Sequence, residues 1–253
     1  MGFDILRLST IERLLQSEWY ALRSHTLIAL AEWLNADDLS FAIKQFDRSQ
    51  AQFLQDLFVL LQSGRKRNGF FVEFGATNGR DLSNTYLLEK NFQWHGILVE
   101  PARTWHAALS RNRACSIDHR CVWKASGERV KFREVFAPEI STIGRFAGTD
   151  YRSHERAVGR DYEVETVSLT DLLAQYNAPP TIDYVSIDTE GSELEILQGF
   201  DFDRYDARII TVEHNYTPRR EQIFELLSSK GFVRKYETCS QVDDWYVKET
   251  ARG

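Results

Sequence analysis

Residues 70–85 read FFVEFGATNGRDLSNT, and this stretch decides the fold. Its first five residues form an apolar, aromatic run suited to a strand, and Gly75 and Gly79 then mark a tight turn that enters a helix. Downstream, short runs rich in Val, Ile and Phe recur, with strands predicted at 96–99, 116–122, 184–187 and 208–212. Helix signals lie between them. Ser192 to Glu195 reads as a capping box ahead of Leu194, Ile196 and Leu197, and Thr217-Pro218 as an N-cap with an N1 proline ahead of Ile223, Phe224 and Leu227. Strands that alternate with helices need crossover connections, so the pattern predicts a mostly parallel α/β sheet covered on both faces. The runs at 232–236 and 242–247 lack a helix between them and close the sheet as an antiparallel hairpin.

Upstream of the deciding stretch, apolar residues recur at helical spacing, as in Leu27, Leu30, Ala31 and Leu34, then Phe53, Leu57, Phe58 and Leu61. Gly64 and the polar run 65–69 end that pattern. The expected organisation is an N-terminal helical extension over 1–65 and an α/β domain over 66–253.

Composition narrows the function. The 253 residues are 43% hydrophobic and 27% charged, as in an ordinary globular chain, and 31 Lys and Arg against 37 Asp and Glu give a net charge of −6. That balance offers no general attraction to nucleic acid or to an anionic membrane. No apolar run is long enough to span a bilayer; the longest, around 26–34, is interrupted by Glu32. Cys115, Cys121 and Cys239 show neither a disulfide framework nor a zinc spacing, which fits a reduced, cytoplasmic setting.

In an open parallel sheet, ligands lie beyond the carboxyl ends of the strands. After the first strand come Glu73, Gly75 and Gly79; after the second, Glu100-Pro101; after the fourth, Asp188-Thr189-Glu190-Gly191; after the fifth, Glu213-His214-Asn215. An acidic residue ending the second strand can accept both hydrogen bonds of a ribose diol, which points to an adenosine-type cofactor. The turn lacks the third glycine of a dinucleotide fingerprint, and a carboxylate at Glu73 repels a pyrophosphate while suiting the ammonium of a methionine moiety. S-adenosylmethionine is therefore expected over a nicotinamide dinucleotide.

The stretches FVEFGATNGRDLSNT, GILVEP, TVSLTDLL, IDYVSIDTEGSELEIL and VEHN, in that order, resemble the FkbM-type family of S-adenosylmethionine-dependent methyltransferases over about residues 70 to 248. The resemblance implies a class I, Rossmann-like methyltransferase fold, with a mostly parallel seven-stranded sheet whose last strand is antiparallel, and O-methylation of sugar, glycan or polyketide hydroxyls. It places Glu73, Gly75, Thr77, Asn78 and Gly79 along the methionine end of the cofactor, with Asp81 and Ser83 close behind, Glu100 on the ribose and Asp188 beside the reacting methyl. Glu73 stands where many class I methyltransferases carry Asp.

A sugar hydroxyl is a very weak acid, so its methylation needs a general base or a metal ion that acidifies it. His214 is the expected base, oriented by Glu213 or Asp188. The competing arrangement is a Mg²⁺ ion held by Asp188, Glu213 and Asn215. From Arg103 to Arg133 eight Lys and Arg face Asp118 and Glu128, a basic segment able to meet a phosphate-bearing acceptor, although a solvated face accounts for it equally. Residues 137–160 have the composition of a loop that lids the site, with Tyr151 and His154 as possible acceptor contacts. The helical extension, with Trp19, Tyr20 and Trp33, either closes the acceptor site or forms a homodimer contact. Two rivals to an O-methyltransferase are a catalytically silent module of the same fold and a nucleotide-dependent dehydrogenase.

Overall fold

The structure, a computed structural model, describes residues 18–249. Three helices come first: α1 (Glu18–Ala31), α2 (Ala36–Gln45) and α3 (Gln55–Gln62). The α/β core then runs β1 (Phe70–Phe74), α4 (Tyr86–Phe92), β2 (His95–Val99), α5 (His106–Asn112) and β3 (Ser116–Asp118). It resumes with α6 (Leu169–Gln175), β8 (Thr181–Ile187), α7 (Glu193–Gln198), β9 (Asp206–Glu213), α8 (Arg219–Ser229), β10 (Phe232–Lys235) and β11 (Asp243–Lys248). Between β3 and α6 lie β4 (Cys121–Trp123), β5 (Arg129–Val135), β6 (Thr142–Ile143) and β7 (Gly159–Ser168).

The main sheet has seven strands in the order β10-β11-β9-β8-β1-β2-β3. β11 runs antiparallel to both neighbours and the other pairings are parallel, as the resemblance implied. β1 is buried along its whole length, which explains its unbroken apolar run. The chain leaves β1 toward β2 on one side and enters β8 on the other, so the crevice of the sheet opens between β1 and β8. One face of the sheet packs on α6, α7 and α8 through Leu172, Ile196 and Leu227. The other packs on α3 and α4 through Leu57, Phe58 and Leu87, with Phe58 stacked on Trp245 at 4.7 Å between centroids. The helices of the 1–65 segment thus share a core with the sheet.

Three expectations need correction. The run 116–122 is two strands: Asp118 accepts hydrogen bonds from the backbone and side chain of Arg120, the chain turns there, and β4 joins a second sheet of order β4-β7-β5-β6. The Ser192–Glu195 capping box does not form, because Ser192 donates to Thr189 Oγ1 and Glu195 pairs with Arg219. Thr217 likewise does not cap α8; its hydroxyl donates to the carbonyl of His214. Residues 137–160 fold as short 3₁₀ turns and β6, with Ile140, Ile143 and Phe146 buried.

Candidate functional site

At the end of β1 the chain turns through Gly75, which has φ +71°, and a Cβ built there would stand 2.0 Å from the carbonyl oxygen of Asp188. Only glycine lets the ends of β1 and β8 approach this closely. Around this junction two joined cavities share Phe74, Gly75, Thr77, Glu139, Asp188 and Glu190. The first is a narrow slot walled by Val99, Pro101, Cys121, Val122, Phe132 and Ile143, with Glu100 at its edge. The second, of about 350 Å³, is a polar chamber lined by Asn84, Arg152, Asp188, Glu190 and Glu213 and roofed by Leu22, Gln52 and Phe53 of the N-terminal helices.

The slot suits a flat heteroaromatic ring, and Glu100 suits the sugar attached to it. Glu100 accepts from the amides of Thr77 at 2.8 Å and Ala102 at 2.7 Å, one on each oxygen, which leaves each oxygen lone-pair capacity for a hydroxyl. Burial pushes its carboxyl up to about 7.

Glu73 is spent locally. Its oxygens accept from the Asn84 amide and the Ser83 and Thr85 hydroxyls, and Arg113 lies 3.6 Å away, so it organises the loop 83–85. Asn78 accepts from the amides of Arg80 and Asp81, and Asp81 accepts from Asn78 in return. Asn78, Gly79, Asp81 and Ser83 shape the turn without lining either cavity, whereas Gly75 and Thr77 line both. Asn84, which sequence reasoning missed, donates to Ser186 Oγ at 2.9 Å while its buried Oδ1 has no partner. Asn84 itself lines the chamber, and an unpartnered amide oxygen suits an ammonium.

Beyond the turn lies an acidic cluster. Carboxyl oxygens of Asp188, Glu190 and Glu213 come within 4.8 Å of one another. Burial and the neighbouring Asp243 push Asp188 up to about 7. Glu213 is held far above the usual carboxylate range by burial, then by Asp188 and Glu190, because like charges this close cannot all ionise. Burial and Asp188 also raise Glu190, against the pull of Arg156 and Arg152. Arg156, fully buried, grips Glu190 and both oxygens of Asp150 and so ties residues 137–160 over the cluster. Glu190 and Gly191 at one strand end, and Asn215 and Tyr216 at the other, take positive φ, a strain that clusters at functional sites. Asn215 donates to Glu190 at 3.2 Å and its buried Oδ1 has no partner.

His214 does not join the chamber, contrary to expectation. β9 ends at Glu213, and His214 stands just past it. Glu213 lines the chamber; His214 does not, and lines a neighbouring cavity of about 240 Å³ that Glu213 and Asn215 also border. Its Nδ1 accepts from the Tyr216 amide, its Nε2 stands 3.8 Å from Asp244, and burial pushes its pKa down to about 4. Tyr151 lines the chamber, and His154 is exposed away from it. In the basic segment, Arg113, Arg120, Arg129, Lys131 and Arg133 are paired within the chain. Trp33 is exposed and packs on Tyr236.

The methyltransferase FkbM domain is matched over residues 73–245. The chain belongs to the FkbM methyltransferase family. The methyltransferase sdnD of Sordaria araneosa is 26% identical over 253 residues, which cover 87% of this chain and 96% of that protein. Among solved structures, the precorrin-6y C5,15-methyltransferase of Geobacter metallireducens GS-15 aligns with a TM-score of 0.38 at 10% identity over 71% of each chain. Among the described residues of this FkbM-family protein, no helix is long and apolar enough to cross a membrane.

Proposed function

We propose that the chain transfers the methyl group of S-adenosylmethionine to a hydroxyl of a sugar or glycan. The observation that carries this reading is the Asp188–Glu213 carboxyl pair, held beside a glycine turn where the chamber joins the slot that Glu100 borders. The adenine fits the slot, Glu100 receives the ribose diol, and Asn84 Oδ1 receives the ammonium. The cofactor supplies a methyl on a sulfonium centre, already activated for in-line displacement.

What remains for the protein is to align the acceptor oxygen and take its proton. Asp188 would take the proton of the acceptor hydroxyl, and the cofactor held by Glu100 and Asn84 would supply the methyl group. Glu213, whose proton is favoured by burial and then by Asp188, is suited to donate a hydrogen bond to the acceptor or to Asp188. Glu73, Glu139, Asp188, Glu190 and Glu213 give the chamber an acidic lining against the single cation Arg152. That lining favours an acceptor that is neutral at its reacting end over a phosphate-bearing one.

A second reading adds a divalent cation. Asp188, Glu190 and Glu213, with Asn215 at the edge, are a hard-oxygen donor set, and a cation there would acidify the hydroxyl. Turnover lost in EDTA and restored by Mg²⁺ supports this second reading; turnover unaltered in excess chelator removes it.

The test of the main reading is thermal unfolding with S-adenosylhomocysteine and with NAD, since a ligand at 100 times its Kd stabilises by roughly 2.7 kcal/mol. A rise with S-adenosylhomocysteine alone, followed by a gain of about 14 Da on a neutral glycan acceptor in mass spectrometry, is expected. A rise with NAD alone sinks the reading.

A further inference from the structure

The cofactor's methionine end carries a carboxylate as well as an ammonium, and the chamber has to neutralise it among five acidic side chains. Helix amides at a glycine turn commonly meet such an anion. Here most of them are already engaged. The amides of Gly75 and Ala76 donate to the Val99 carbonyl, Thr77 to Glu100, Gly79 to the Ala76 carbonyl, and Arg80 and Asp81 to Asn78. The following helix, α4, begins only at Tyr86.

Arg152 is the one cationic side chain in the lining of either cavity. It projects from the segment that Arg156 anchors over the acidic cluster. Its one ion pair among the described residues is a loose 3.9 Å approach to Glu190, because Arg156 and Asn215 already occupy that carboxylate's other oxygen. The Arg152 side chain is about a third exposed and lines the chamber, and its guanidinium carries five donors for a planar carboxylate.

We propose that Arg152 binds the methionine carboxylate of S-adenosylmethionine, so that the segment over the site reads the amino-acid end of the cofactor. This rests on the cofactor assignment above. It makes occupancy by a complete cofactor, rather than by its nucleoside half, the event that fixes Arg152 away from Glu190.

The test is isothermal titration calorimetry of the full chain with two ligands, S-adenosylhomocysteine and its decarboxylated analogue, which lacks only the carboxylate. For Arg152→Gln the Kd of S-adenosylhomocysteine should rise by about 10- to 100-fold, while the Kd of the decarboxylated analogue stays within about twofold. Arg152→Lys should restore part of the difference. Equal weakening of both ligands would show a merely structural role and overturn the proposal. So would an unchanged Kd for S-adenosylhomocysteine with a raised acceptor KM, which would move Arg152 to the acceptor. Failure of the unaltered chain to bind either ligand would overturn the cofactor assignment itself, and the proposal with it.

Discussion

Glu213 lines the chamber and His214, the next residue, does not. In the proposed reaction the base is therefore a carboxyl, Asp188, pushed up to about 7 by burial and Asp243. A base must be unprotonated to act, so turnover should rise with pH through about 7 and level off above it. Asp188→Asn should lower kcat by about 10²–10⁴-fold and flatten that profile, while S-adenosylhomocysteine still binds by calorimetry. A variant that keeps wild-type kcat would show that the proton leaves by another route. His214→Ala is the matched control: turnover should stay within a few fold, with stability falling by about 1–3 kcal/mol as the Tyr216 amide loses its acceptor. A kcat loss as large as that of Asp188→Asn would return the base to His214.

At the scale of elements, Arg156 ties the segment over the site to the acidic cluster. Arg156 has no exposed surface and bridges Asp150, Glu190 and the Ile140 carbonyl. Removing one partner from a buried ion pair leaves uncompensated charge, which costs about 3–5 kcal/mol. Arg156→Met should lower Tm accordingly, and adding Glu190→Gln should recover part of the loss, since it removes one of the two orphaned charges. Additive losses in the double variant would show that Arg156 and Glu190 are not coupled. Nothing local announces this anchor. In sequence Arg156 is one of several charged residues in a polar stretch, and its partner Glu190 sits inside IDTEGSE with no periodicity to mark its direction. β1, β8 and β9 were legible because central parallel strands are apolar on both faces and bounded by turns. β4, β5 and β7 were not, because strands that bury one face are partly polar, and β4 is only three residues long. The glycine turn and Glu100 were singled out by spacing, and both border the slot. Asn84 and Arg152 were not, because an unpartnered amide oxygen and a loosely paired cation exist only once the chain has folded.

For the molecule as a whole, the site is closed by parts of the chain distant in sequence. Leu22, Gln52 and Phe53 roof the chamber from the N-terminal side, and Gln55 at the start of α3 donates to Asp243 at 2.7 Å, beside Glu213 in the register of β11 and β9. The N-terminal helices are bound to the sheet by buried apolar surface, above all by Phe58 lying on Trp245 and edge-on to Tyr236. A layer attached in this way should not unfold independently. Helix loss by circular dichroism and Trp exposure by fluorescence should therefore fall on one transition in urea. Phe58→Ala empties a site that the rigid sheet cannot collapse into, and should cost about 3–5 kcal/mol while keeping the transition single. The same variant should weaken acceptor binding, because the roof it supports covers the chamber. Two separate transitions in the unaltered chain would show the helices to be an appendage, and would remove the reason to place the acceptor beneath them.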